Sequence, residues 1–217
     1  NETTYITKEF QSRFNITNLN NIEVADKFNI FPLFCSLNFE KNEDEDFFLE
    51  IGGGHNPIFL YVLKSLNKKY KFQVLEEKNF KIQIPPEYKD YLNYVYELED
   101  IKFKDLKAVI FSGSIQYIEN YKIILDRIFR NNIKYVFITE TFFTDKSEDI
   151  FTLQNNIENV KFPSTFISFK NLSKLFNQND YELIFQTKRK IGKYRHNILT
   201  KDDYSVRDLV FRLKVQS

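Results

Sequence analysis

The stretch FFLEIGGGHNPIFLYVLKSL, residues 47–66, holds three of the five glycines in a chain of 217 residues. The apolar run Phe47–Ile51 reads as a short strand. Pro57 suits the first turn of a helix, where no N–H is needed, and Ile58, Tyr61, Val62 and Leu66 then recur at helical spacing. The glycines therefore fill a strand–loop–helix turn. Such a loop can be a tight turn, a close strand–helix contact, or a main chain that approaches a ligand.

The rest of the chain narrows the choice. After residue 46, apolar strands alternate with amphipathic helices: a strand at 70–75, a short helix and third strand within 85–98, and a strand at 106–113. A helix at 121–131, a strand at 134–140, a long loop, a helix begun by Ser168 and a strand at 181–188 follow. This alternation predicts an α/β fold, a doubly wound, mainly parallel sheet with helices on both faces. The last two strands, 181–188 and the segment YRHNILTK (194–201), are joined by too few residues for a crossover. They must pair antiparallel, closing the sheet with one hairpin strand. Residues 1–45 read as an N-terminal arm and helical cap, 46–200 as the ligand-binding domain and 201–217 as a C-terminal tail. The tail's VRDLVFRLKV is amphipathic, suited to docking on its own domain or on a second copy in a homodimer.

Bulk properties exclude several classes. With 31 basic and 30 acidic residues the net charge is +1, so no global field calls for nucleic acid or an anionic membrane. The single cysteine, Cys35, excludes a disulfide framework and any cysteine-based metal cluster, and its apolar neighbours make it a buried, inert thiol. No His, Asp and Glu spacing suggests a metal site. No apolar run is long enough for a membrane span and no signal peptide opens the chain, so a soluble, cytoplasmic protein is expected.

In a doubly wound sheet, ligands bind above the carboxyl ends of the strands, and the first strand–loop–helix is the usual place. A helix N-terminus there offers free N–H groups to an anion. Glu76, at the end of the second strand, lies 24 residues after Gly52, near the offset at which a carboxylate meets a ribose diol. Glu77 competes for that role. The dinucleotide fingerprint G-x-G-x-x-G would need a third glycine where Pro57 stands, which counts against a nicotinamide-dependent oxidoreductase; the Gly-Lys-Ser/Thr end of a P-loop is also absent.

Glu50-x-Gly52-x-Gly54 instead resembles motif I of class I S-adenosylmethionine-dependent methyltransferases, with Asn56 at a position often occupied by glycine. The segments FPLFCSL, FLEIGGG, VIFSGSIQYIENYKIIL, YVFITETFFTD and GKYRHNILTK, in this order, resemble a family of methyltransferases encoded among bacterial genes for surface polysaccharide biosynthesis. The resemblance covers roughly residues 30 to 200, and SGSIQYIEN is its most specific part. It implies a seven-stranded, Rossmann-like methyltransferase sheet, S-adenosyl-L-methionine as cofactor, and a sugar or other small hydroxyl-bearing acceptor.

Under that resemblance, Glu50 would hold the cofactor ammonium, Gly52, Gly53, Gly54 and His55 would form the cofactor loop, and Glu76 or Glu77 would take the ribose. Ser112 and Gly113, ending the fourth strand, would leave room for the sulfonium. A sugar hydroxyl gains from a general base. Glu140, at the expected end of the fifth strand, and His196, in the closing strand, are the catalytic candidates; His55 and Asp145 are weaker ones. Tyr117 stands at the mouth of the site with Gln116. The basic run 188–195 is a solvated turn or a clamp for a phosphate-bearing acceptor. The apolar segment 159–169 covers the core or lines an acceptor pocket, with Phe162 and Phe166 as contacts. A non-catalytic module that keeps the fold and the cofactor loop remains a further alternative.

Overall fold

A computed structural model describes residues 30–38, 47–68, 70–80, 82–157, 160–189 and 204–215. The chain divides into two compact units, one ending at Phe111 and the other beginning at Ser112.

The first unit starts with helix α1 (Ile30–Asn38). Pro32 falls in the first described turn of this helix, where a missing N–H is tolerated. Strands β1 (Phe47–Ile51), β2 (Lys71–Leu75), β3 (Leu92–Val95) and β4 (Leu106–Ser112) lie in the order β3-β2-β1-β4, all parallel. Helix α2 (Ile58–Leu66) connects β1 to β2, and Ile58–Leu63 are all buried. Every turn of α2 thus has an apolar neighbour, which compensates for its short length. A cluster of rings fills the core. Phe48 packs edge-on to Phe31 and Tyr70 at 5.2 and 5.4 Å, and Phe59 packs on Phe72 at 5.7 Å. The strand order reverses beside β1: the chain moves outward through β2 and β3, then returns to pair β4 with β1's other edge. In the parallel register Glu50 stands opposite both Val74 and Ile110. The carboxyl ends of β1 and β4 therefore form the reversal point where such sheets bind ligands.

In the second unit, helix α3 (Tyr121–Arg130) precedes strand β5 (Tyr135–Thr144). A hairpin follows, β6 (Ile150–Ile157) with β7 (Val160–Ser168), then helix α4 (Phe169–Gln178), β8 (Tyr181–Arg189) and β9 (Tyr204–Leu213). Strand β9 runs antiparallel between β5 and β8, while β7 joins β5 in parallel only at Phe143 and Thr144. Ser168 caps α4, its Oγ accepting the Asn171 N–H at 3.3 Å. Phe176 stacks on Phe211 at 3.8 Å and meets Tyr181 edge-on at 5.6 Å.

The expected fold class holds: α/β, with a mainly parallel sheet closed by an antiparallel hairpin strand. Three details differ. The closing strand is Tyr204–Leu213, out of the segment assigned to a tail, whereas YRHNILTK with His196 lies outside the described residues. Successive apolar residues Leu209, Val210 and Phe211 are all buried, because this strand is covered on both faces; that pattern is as compatible with an amphipathic tail as with a strand. Its apolar side is therefore used within its own unit rather than left for a second copy. The long loop before Ser168 is instead the β6–β7 hairpin, whose polar residues Thr152, Gln154 and Ser164 hid its strands. Phe166 belongs to a core cluster with Phe142 and Tyr204, at 5.6 and 5.3 Å, so it is no pocket contact.

A chain ended at residue 203 removes β9 from between β5 and β8. It should lose its cooperative thermal transition by near-ultraviolet circular dichroism; an intact transition would contradict the strand's place in the unit.

Candidate functional site

The glycine loop is built around two carboxylates. Helix α2 has no side-chain cap of its own, since Pro57 precedes it. Glu50 supplies one from β1: its Oε2 accepts the Ile58 N–H at 2.6 Å. The Glu50 side chain is fully buried beneath the loop. Gly53 is required there, because a Cβ on it would stand 2.8 Å from the Glu50 Cδ. Gly52 and Gly54 are required for another reason, with φ of 75° and 56°, a region that costs side-chain-bearing residues about 1–2 kcal/mol.

Gly54 is held through both of its main-chain polar groups. Its N–H donates to Glu76 Oε2 at 2.8 Å, and its carbonyl accepts the Tyr94 hydroxyl at 2.7 Å. A Cβ added at Gly54 would meet nothing within 4 Å. The loop thus turns an open edge without a side chain outward, while the polar groups of Gly54 are anchored by Glu76 and Tyr94. Gly52 N–H donates to Leu75 O at 2.9 Å, tying the start of the loop to the end of β2. Glu76 is half-buried; its other oxygen accepts the Glu77 N–H at 3.2 Å, while the Glu77 side chain is exposed. That settles the geometric difference between the two: Glu76 points to the loop. His55 lies in the loop, half-buried.

Burial sets the electrostatics. It pushes the Glu50 carboxyl from 4.5 up to about 8, against the lowering effect of the Ile58 N–H, with the Glu76 charge adding to the rise. Burial also raises Glu76, opposed by the N–H groups of Gly54 and Glu77. Tyr94 is raised by burial first, then by the Glu50 and Glu76 charges, and stays a hydroxyl donor.

The second unit carries the remaining described candidates. Ser112 ends β4 and Gly113 follows it, both half-buried, with Gly113 at φ 67° and its N–H donating to Thr139 O at 2.8 Å. Glu140 does not end β5. It sits within the strand at a bulge, where the β5–β9 register slips between Ile138 and Thr141, and its φ is 52°. Asp208 holds this strained residue. Its Oδ1 accepts the Glu140 N–H at 2.8 Å, and its Oδ2 accepts the Thr187 hydroxyl at 2.6 Å. Arg189 bridges the Asp208 and Glu140 carboxylates. Among the described residues no donor reaches Glu140 Oε2.

Asp145 is ion-paired with Lys188 at 2.8 Å and with the buried Arg207. The Lys188 hydrogen bond leads in holding its carboxyl below the ordinary value, which disfavours it as a base. Tyr117 is 41% exposed and donates to Gln154 Oε1 at 3.0 Å, linking the 115–117 turn to β6. Tyr94 and Asp208 escaped the sequence reading, and Arg189 entered it only as part of the basic run 188–195. Tyr94 stands on β3 at a spacing no motif marks, and Asp208 lies 19 residues after Arg189, the partner that the fold gives it. No group of His, Cys, Asp and Glu suited to a metal occurs among the described residues, and no described helix is long and apolar enough to cross a membrane.

No family model and no curated protein matches the sequence. Solved structures do match the fold. A SAM-dependent methyltransferase from Methanosarcina mazei superposes with a TM-score of 0.55 at 12% identity, over 80% of this chain and 95% of its own. The N-terminal domain of EvdMO1, crystallised with S-adenosylhomocysteine and D-fucose, gives 0.54 at 10% identity, over 88% and 84%. The glycopeptide N-methyltransferase MtfA with sinefungin gives 0.55 at 11%, over 88% and 95%. The chain has the fold of these class I methyltransferases.

A folded Glu50 with a pKa near 8, against 4.5 unfolded, binds more protons in the native state between those values. Its stabilisation is complete below about pH 4.5 and is lost as pH rises through 8. The melting temperature of wild type should therefore fall between pH 6 and 9 more steeply than that of Glu50→Gln, measured by scanning calorimetry. Parallel curves would contradict the buried, protonated carboxyl.

Proposed function

We propose that this protein is an S-adenosylmethionine-dependent methyltransferase that O-methylates a sugar or glycan hydroxyl of the bacterial cell surface, working in the cytoplasm. The observation that carries the reading is the anchored Gly54, whose main chain is fixed by Glu76 and Tyr94 and whose Cβ direction is open. A close backbone approach to a ligand needs such an edge. The likeness to methyltransferase structures supports the same reading through the fold.

The residues present fit the cofactor. Gly52, Gly53, Gly54 and His55 would face its amino-acid end, with Glu50 beneath the loop as a carboxyl able to ionise toward an ammonium. Glu76 would accept from the ribose hydroxyls through lone pairs left after its contact with Gly54, since a carboxylate has room for several donors. Ser112 and Gly113, small and following β4, would leave space for the reacting centre. When bound, S-adenosylmethionine supplies an electrophilic methyl group on a sulfonium.

The chain's own contribution is to orient and deprotonate the acceptor. Holding an oxygen in line at about 3 Å from the methyl carbon accounts for much of the rate. Glu140 is the described candidate for the proton: Oε1 is fixed by Arg189, the backbone is locked by Asp208, and Oε2 remains to accept a hydroxyl hydrogen. Tyr117 would bound the acceptor, and His196 stays a second candidate base from outside the described residues.

Calorimetric titration with S-adenosylhomocysteine and, separately, NADH tests the cofactor. The homocysteine form should bind, NADH should not, and Gly54→Ala should weaken binding at least tenfold while the protein still melts cooperatively. NADH binding, or no binding of either by folded protein, would overturn the reading. Methyl transfer to a panel of bacterial oligosaccharides then tests the acceptor.

A further inference from the structure

Strand β8 is an edge of the sheet. Among the described residues it pairs only with β9, so no strand lies along its other side. Such an edge is a template for a further chain, and proteins blunt it with charges, a proline or a bulge in the exposed stretch. The middle of β8 has only the bulge, and this bulge carries an apolar side chain. The β8–β9 register slips between Leu183 and Phe185, which leaves Ile184 without a partner on β9. Leu183, Ile184 and Phe185 thus follow one another at 37, 39 and 43% exposure, an apolar patch in the centre of an open edge.

The charges around that patch are sorted by sign. Asp180 and Glu182 stand at the start of β8, Lys188 and Arg189 at its end, and the residues between are neutral. Glu182 pairs with Arg212 at 2.6 Å and Lys188 with Asp145 at 2.8 Å, yet nearly half of each side chain stays in solvent. Exposed pairs of this kind are weak and leave both charges able to serve a second partner. A strand of this polarity is complementary to itself when turned end for end. Centred on Phe185, antiparallel pairing sets Glu182 against Lys188 of a second copy. Centred between Ile184 and Phe185, it sets Asp180 against Arg189. Parallel pairing would instead bring acid to acid and base to base, which destabilises neighbouring strands. The charge pattern therefore selects both the occupant of the edge and its direction.

We propose that two copies of this chain pair antiparallel through β8, about a two-fold axis at Leu183–Phe185. The apolar side chains of both copies leave water at the axis, and the sorted charges close the contact on either side. Such a contact is isologous: it uses up β8 of each copy and ends at a dimer rather than a fibre. It also reaches the candidate site, because Arg189, at the basic end of the contact, is the residue that bridges Glu140 and Asp208. The pairing goes beyond the proposed methyl transfer and does not depend on it.

Sedimentation velocity on the full chain, from low micromolar to submillimolar concentration, tests the pairing. A monomer–dimer equilibrium is expected. Ile184→Glu, at an exposed position with no partner on β9, should weaken the dimer at least tenfold while the melting temperature stays that of wild type. Glu182→Lys and Lys188→Glu should each weaken it as well. The double variant restores opposite charges across the axis and should recover most of the wild-type affinity. Hydrogen exchange of the amides at 181–189 should slow as concentration rises in wild type, and not in Ile184→Glu. A monomer at every concentration, a dimer unmoved by Ile184→Glu, or exchange that slows elsewhere but not in β8 would each overturn the proposal. A double variant weaker than both single ones would overturn it too, since opposite charges would then not meet across the axis.

Discussion

The hydrogen bond from the Ile58 N–H to the buried Glu50 carboxyl sets where α2 begins, and with it the path of the glycine loop. Proline at position 57 removes the usual choice of a Ser, Thr, Asn or Asp cap, so the helix must borrow its acceptor from the preceding strand. That carboxyl fills the space a Gly53 side chain would need. Once the loop passes over Glu50, Gly54 comes within reach of Glu76 from β2 and Tyr94 from β3. One buried group therefore couples three strand ends. The cost is a carboxyl held far from its ordinary ionisation, a kind of perturbation that gathers at functional sites.

The second unit solves a related problem by the opposite means. Glu140 adopts a backbone conformation that costs about 1–3 kcal/mol for a residue with a side chain. The bulge that requires it is fastened by Asp208, almost wholly buried on β9, which gathers a main-chain N–H, a threonine hydroxyl and a guanidinium. Here the strain is stabilised by a satisfied polar network rather than by a cap. A strained, well-fastened carboxylate is more consistent with a site that must hold one geometry than with a strand selected for pairing alone.

Much of this was legible in the sequence, for physical reasons that differ by element. The strand–loop–helix around Gly52–Gly54, the strand ending at Ser112 and the helix begun by Ser168 each combine a strong periodicity with a local start or stop residue. The β6–β7 hairpin was not legible, since one of its faces covers a polar contact and the other is exposed, so neither shows clean alternation. Strand β9 was mistaken for a tail because burial on both faces erases a two-residue period. In the candidate site, Gly52, Gly54 and Glu76 stood out by their spacing. Tyr94 and Asp208 did not, because their roles depend on pairings between strands and turns that no short-range pattern encodes.

The central claim is that Glu76, fixed by Gly54, meets the ribose of an adenosyl cofactor. The most direct test compares S-adenosylhomocysteine with its 2′,3′-dideoxy analogue, by calorimetry, in wild type and Glu76→Gln. Hydrogen bonds to a carboxylate are worth about 1.5–3 kcal/mol, so wild type should prefer the natural ligand by roughly tenfold or more. In the variant that preference should largely vanish. An equal preference in both proteins would place the ribose elsewhere and contradict the account.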